Sequence, residues 1–376
     1  MQARLLAGIK EIEASAWDSL IPGDDPFIRH DYLALLEQSG SAATKTGWQP
    51  IHVLVENEGE PVAAAPLFAK SHSWGEYVFD HGWADALQRA GGSYYPKLQC
   101  AVPFTPVPGP RLLATSEAAR RDLAGVLAGL PEAYALSSLH VTFCGQEESR
   151  VLAEAGFLER RGIQYHWHNR GYRDFQDFLD ACRSQKRKMI RKEREAVQKA
   201  GIEVEVLHGD QLDAATLAGF HPFYLSTIDK RWGQAYLTRR FFRGLADGLR
   251  QRVVYVVARK EGQIVGAALN LWGGDTLYGR LWGCLEDYRF LHFECCYYAA
   301  IEFAIAHKIA RVEAGAQGQH KLMRGYEPVP TFSAHYLREP AFRSAVERFL
   351  KEERTAMDEQ IEASRELLPF RRPNEA

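Results

Sequence analysis

A short hairpin is written twice along this sequence, and the repetition constrains the fold more than any other feature. Residues 51–65 read IHVLVENEGEPVAAA and residues 254–268 read VYVVARKEGQIVGAA. In each, an apolar run meets a Glu-Gly turn and returns as a second apolar run, the pattern of two antiparallel strands joined by a tight turn. At an offset of 203 residues six positions are identical: Val53/Val256, Glu58/Glu261, Gly59/Gly262, Val62/Val265, Ala64/Ala267 and Ala65/Ala268. About one identity is expected by chance at ordinary residue frequencies. A generic buried hairpin with this turn shares part of the pattern; a duplicated domain accounts for more of it.

The surroundings repeat as well. The first hairpin is followed by a helix-compatible stretch from Gly82 to Ala90 and a strand from Lys97 to Val102, the second by His292 to His307 and then Arg311 to Ala314. Between them, Glu117 to Leu130 and Glu147 to Ala155 read as helices, and Leu139 to Cys144 and Gln164 to Asn169 as strands. A chain of 376 residues exceeds what one hydrophobic core usually serves. We therefore expect an α/β fold with mixed sheets (α+β in character) in two halves, 1–161 and 162–340. A helical tail is expected over 341–376, where Phe342, Val346, Phe349, Leu350, Met357, Ile361 and Leu368 line up as one apolar stripe.

Bulk properties exclude several classes. The 46% hydrophobic and 25% charged composition is that of a folded globular chain, and a net charge of -2 argues against a protein that coats nucleic acid as a whole, leaving room for a local basic patch. The start MQARLLAGIKEIEAS has no apolar signal core, and no run of about 20 apolar residues occurs, so a cytoplasmic location without a membrane span is expected. Six cysteines without CxxC spacing read as buried free thiols. His292-Phe293-Glu294 matches half of a zinc-deaminase signature whose Pro-Cys-x-x-Cys partner is missing, so no metal site is expected. His166 and His168 share a strand face but lack a third ligand and are assigned no role.

Three segments together resemble the Fem-type peptidoglycan aminoacyltransferases and their GNAT-like bacterial relatives: PFIRHDYLALLEQSG, the strand QYHWHN with FQDFLDACRSQKRKMIRKEREAVQKAGIEVEV behind it, and VEAGAQGQHKLMRGYEP. YVFDHGWADALQRAGGSYYPKLQCAVPFTPVPGPR looks like the relatives rather than the peptidoglycan enzymes. The resemblance implies tandem GNAT-like domains that transfer an acyl or aminoacyl group to a primary amine in a cleft of the second half. It sets Arg231 at an arginine used near substrate phosphate, and Lys321 at the lysine of an FK-type motif in which His320 replaces the usual aromatic.

The residues carry chemistry of their own. Amine acylation needs a base for the ammonium proton, a donor for the tetrahedral oxyanion and an acid for the leaving group. Glu313 and His320 are candidate bases, Lys321 a candidate cation for the oxyanion or the donor's phosphate end, and Arg324 and Tyr326 candidate substrate contacts; a glycine-rich turn with charges facing water is the alternative. In the helix from Ser184 to Lys199, Arg183, Arg187, Arg191 and Arg194 share a face, either a phosphate site such as a tRNA acceptor end would use or a solvated surface. In the first half, Asp80, His81, Trp83 and Lys97 are candidate substrate contacts, with Asp80 equally a helix cap.

Departures from the family pattern limit the substrate. Glu37 stands where the peptidoglycan enzymes carry a lysine, and Leu285 to Phe290 has no glycine to cradle a pyrophosphate. No cofactor is assigned; acyl-CoA or aminoacyl-tRNA is the expected donor and a small-molecule or peptide amine the acceptor. The rival reading is a non-catalytic binding module for a cell-wall or nucleotide ligand. The sequence does not specify an oligomeric state.

Overall fold

A computed structural model of the chain describes residues 1–230, 234–315 and 318–371. The chain divides into two compact units, Met1–Gly162 with Pro330–Glu359, and Ile163–Val329 with the chain from Gln360 on. Beyond residue 329 this division departs from the sequence expectation. Phe332 to Leu337 pair with Ser138–Cys144, and Val346 and Leu350 pack with Trp83, Leu87 and Tyr94. Residues 330–359 thus complete the first unit, and the C-terminal helix Pro340–Arg365 is divided between the units.

In the first unit a four-stranded antiparallel sheet is built from Gln2–Leu6, His52–Asn57, Glu60–Ala65 and Leu113–Ala114. A second set of strands is mixed: Lys97–Cys100 runs parallel to Ser138–Cys144 and antiparallel to Leu67–Lys70. The helix Glu117–Ala133, capped by the Ser116 hydroxyl on the Ala119 N–H, buries Leu123, Ala124 and Leu127 against Val53, Val55 and Leu139. In the second unit Ile202–His208, Val253–Lys260, Gln263–Gly273 and Thr276–Cys284 form an antiparallel meander. Thr276–Cys284 then pairs in parallel with Arg311–Glu313, which lies antiparallel to His166–His168.

The written repetition is also a geometric one. Val53 faces Ala65 and Val55 faces Ala63; at the equivalent positions Val256 faces Ala268 and Ala258 faces Gly266. Both ladders shift register at the same place, between Val55 and Glu56 and between Ala258 and Arg259. Both turns put two successive residues at positive φ, Glu58 (53°) and Gly59 (87°), Glu261 (51°) and Gly262 (76°). That is the turn whose twist matches a two-residue hairpin, and only its glycine adopts it without steric cost. A shared bulge and a shared strained glutamate exceed what a generic hairpin requires.

Among the described residues no helix is long and apolar enough to cross a membrane.

Candidate active site in the second unit

Thr276–Cys284 and Arg311–Glu313 run together for only three pairs, Thr276/Arg311 to Tyr278/Glu313. Gly279 follows directly, and a Cβ there would meet the Glu313 carbonyl oxygen at 3.0 Å. The chain then leaves the sheet through Gly315 (φ 72°) and Gly318 (φ 105°) into one helical stretch, Gln319–Arg324. A strand end and the turn after it thus carry Glu313, His320 and Lys321, with Arg324 following in the same helical stretch.

Glu313 is buried, with Arg311 Nε at 3.2 Å and His166 Nε2 at 3.8 Å from its two oxygens. His166 is its direct cross-strand partner. Burial, reinforced by the positive charges of Arg311 and Lys321, pushes the His166 imidazole down to about 3, so it is neutral at ordinary pH. Lys321 is buried too; its Nζ donates to the Gly315 carbonyl at 2.9 Å and lies 5.9 Å from the Tyr165 ring. His320 is half-buried, its Nε2 2.8 Å from Tyr297 Oη. Its pKa is lowered by burial and then by Lys321 and Arg324.

Arg324 and Tyr326 lie inside the protein. The Arg324 guanidinium grips the Glu193 carboxylate at 2.6 and 3.2 Å, donates to Tyr298 Oη at 3.0 Å and to the His320 carbonyl at 2.7 Å, and lies 3.5 Å over the Phe293 ring. Its charge therefore fixes the backbone that carries His320. Tyr326 is fully buried against Tyr297 (ring centroids 5.3 Å), its hydroxyl without a hydrogen-bond partner among the described residues. Much of the arginine stripe is likewise answered within the unit. Arg194 holds Glu294 and Glu302, each at 2.8 Å, Arg187 holds Asp180 at 2.9 Å, and Arg183 donates to the Phe370 carbonyl at 2.9 Å. Arg231 lies outside the described residues.

The first-unit residues separate. Asp80 and Lys97 are both buried and pair with each other; Lys97 Nζ also meets Glu76 at 2.7 Å and Ser73 Oγ at 2.8 Å. Burial opposes the lysine's charge, but Glu76 and Asp80 outweigh it and raise its pKa. Burial likewise opposes the Asp80 carboxylate, yet Lys97 and His140 hold it below the usual range. Trp83 packs edge-on to His335 (4.9 Å) and under Arg160 (5.1 Å), whereas His81 is exposed beside Trp74. Glu37 accepts from the Ile9 N–H at 3.1 Å and lies 2.8 Å from His52 Nε2, a structural use of the carboxylate.

Sequence reasoning missed Tyr297 and Glu193, which hold His320 and Arg324 from other elements, and His166, which lies across from Glu313. The alternation of Gln164, His166 and His168 signalled the last of them; nothing local signalled the other two.

A mixed-sheet α/β architecture in two units is what the chain defines. The chain belongs to the FemAB-like family, described as peptidoglycan biosynthesis/recognition, whose profile matches residues 8–372. Among solved structures it is similar to FemX, with a TM-score of 0.57 at 12% identity over 92% of this chain and 100% of that one. The C-terminal domain of a putative lysylphosphatidylglycerol synthetase from Agrobacterium fabrum gives 0.55 at 8% identity over 90% and 95%. L-PGS from Bacillus licheniformis gives 0.52 at 9% over 93% and 98%. These likenesses concern the fold. No curated protein matches in sequence.

Proposed function

We propose that this chain is an N-acyltransferase that moves an acyl or aminoacyl group from a thioester or aminoacyl-tRNA to an amine acceptor of cell-envelope metabolism. The observation that carries the reading is the segment at the end of the parallel strand pair. It carries a buried carboxylate (Glu313), a half-buried imidazole whose pKa is lowered (His320) and a buried ammonium (Lys321) within nine residues of chain. Family membership and the likeness in fold to FemX and to the C-terminal domain of a putative lysylphosphatidylglycerol synthetase support it. Six free cysteines among the described residues suit the reducing cytoplasm, where both donor types occur.

In this reading the acceptor nitrogen loses a proton to Glu313 or His320, attacks the donor carbonyl carbon, and the carbonyl pair moves onto oxygen. Lys321 supplies positive charge beside that oxygen or the donor's phosphates. Collapse breaks the bond to sulfur or ribose oxygen; one of the two protons shed by the ammonium ends on that leaving group and the other in solvent. Of the remaining predicted contacts, Arg231, His81 and Trp83 keep a substrate role only as part of this proposal, while Asp80 and Lys97 are occupied with each other.

The test is a panel of acyl-CoA and aminoacyl-tRNA donors with primary amines, followed by mass shift of the acceptor and by thermal stabilisation. Transfer from either donor class supports the reading. Stabilisation without transfer from any donor favours the binding module, and neither effect removes the proposal.

A further inference from the structure

Within the helical stretch that precedes Arg311–Glu313, five residues, Glu294–Tyr298, are wound as a π-helix between α-helical turns, a departure that often marks functional sites. It sends two successive tyrosines to two partners of the candidate site. Tyr298 Oη donates to Glu193, and Tyr297 Oη meets Nε2 of His320 at 2.8 Å. We propose that Tyr297 is a positioning residue that donates to Nε2 of His320, fixing the imidazole as its Nδ1–H form. His320 then acts in acyl transfer as a hydrogen-bond donor to the developing oxyanion, not as the base. The inference rests on the acyltransferase reading and narrows it, leaving proton removal to Glu313.

Three observations carry it. A neutral imidazole has one N–H and one acceptor nitrogen, and the hydrogen bond at one nitrogen decides which is which. Tyr297 is 2% exposed, so its hydroxyl is held among protein groups. Nδ1 is engaged by no hydrogen bond among the described residues, and the ring is half-buried rather than enclosed, so that nitrogen is left for a ligand.

The ring's place is determined from several sides. Phe293, Tyr297 and His292 surround it at centroid distances of 5.6, 5.8 and 6.0 Å. Arg324 holds its carbonyl, and a Cβ on Gly318 would stand 2.5 Å from its Cε1. Glycine at 318 therefore serves both the positive φ and the imidazole. The ionisable groups that face it are Tyr297, His292, Lys321 and Arg324, of which the last two are cationic and oppose an imidazolium. A neutral imidazole that donates a hydrogen bond, without ever being protonated, is a known way to polarise a carbonyl. His320 keeps its proton throughout, so the proton balance of the transfer is unchanged.

The experiment needs neither donor nor acceptor. Full-length protein is labelled with 15N-histidine, His320 is identified by the signals lost in His320→Gln, and the shifts of both ring nitrogens are followed with pH. The expected result is a protonated Nδ1 and an unprotonated Nε2 at neutral pH. In Tyr297→Phe the Nε2–H form should rise to at least a comparable population, with the titration of His320 moving towards higher pH. Gly318→Ala, which displaces the ring and keeps the hydroxyl, should lose the same preference if Tyr297→Phe fails to fold. A wild-type ring protonated at Nε2, or one unchanged in both variants, overturns the proposal. The expected tautomer in a protein that transfers nothing sinks the acyltransferase reading alone, and the wrong tautomer in an active enzyme sinks this inference alone.

Discussion

Each unit holds one dense group of ionisable side chains, and the two groups are built on opposite plans. In the first unit Lys97 lies between Glu76 and Asp80, Tyr94 donates to Asp80 at 2.7 Å, and His140 meets His335 nitrogen to nitrogen at 2.8 Å. Lys70, Glu76, Asp80 and Lys97 are at most 4% exposed. In the second unit His320 is half-buried, with Nδ1 in no hydrogen bond among the described residues, next in the chain to the buried Lys321. The difference teaches that clustered charge alone does not mark a site. A network whose charges answer one another shapes a core; one group held firmly and left partly open can meet a ligand.

The sharpest way to break this comparison is to remove the centre of the closed network. Lys97→Met leaves Glu76 and Asp80 buried without their cation, and a loss of about 3–5 kcal/mol of unfolding free energy is expected. Urea denaturation monitored in the first unit checks it, and a loss below about 1 kcal/mol would put Lys97 back among residues free to serve a substrate. Arg324→Met should cost a somewhat smaller amount, roughly 2–4 kcal/mol, because the Glu193 carboxylate keeps Tyr298 as a partner. Near-native stability there would free Arg324 for the ligand role that its contacts now oppose.

A pH series sharpens the comparison further. Burial pushes the Glu76 carboxyl up to about 7 from 4.5, against the pull of Lys97. A folded-state value above the unfolded one means the native state holds the extra proton in that window. Its stabilisation is fully present below pH 4.5 and is lost as pH rises to about 7. His140 and His335, pushed down by burial, act in the opposite sense as pH falls below 6.5, so the useful quantity is a difference. Stability of the wild type minus that of Glu76→Gln should increase as pH falls from about 7 to 4.5. A flat difference would mean that Glu76 stays ionised. The smallest effect is expected at His320→Gln, within about 1 kcal/mol, since that side chain is half-exposed and makes one hydrogen bond.

The sequence made the local features legible and left the distant ones hidden. The Glu-Gly hairpins, the helix from Glu117 and the apolar stripe of the C-terminal helix follow from turn chemistry and periodicity within about 30 residues. The assignment of 330–359 to the first unit did not, because Phe332 to Leu337 find their partners at Ser138–Cys144, far earlier in the chain. The same division runs through the candidate site. Glu313, His320 and Lys321 stand together in one segment and could be singled out. His166 reaches Glu313 through strand register, and Tyr297 reaches His320 through a π-helix that no spacing rule announces. Asp80 and Lys97 stand out by their places before a helix and at the entry of a strand, which do not reveal that each is the other's partner.

The proposed acyl transfer rests on Glu313, His320 and Lys321 of the second unit. Single-turnover transfer with whichever donor the panel identifies, compared between wild type and Lys321→Ala with a melting curve for each, tests it most directly. Lys321 is buried and bonded to Gly315, so some loss of stability is allowed for by assaying well below both melting temperatures. The account predicts a turnover rate lowered about tenfold to a thousandfold in the folded variant, with Lys321→Arg restoring part of it. A folded Lys321→Ala that transfers at the wild-type rate would contradict it.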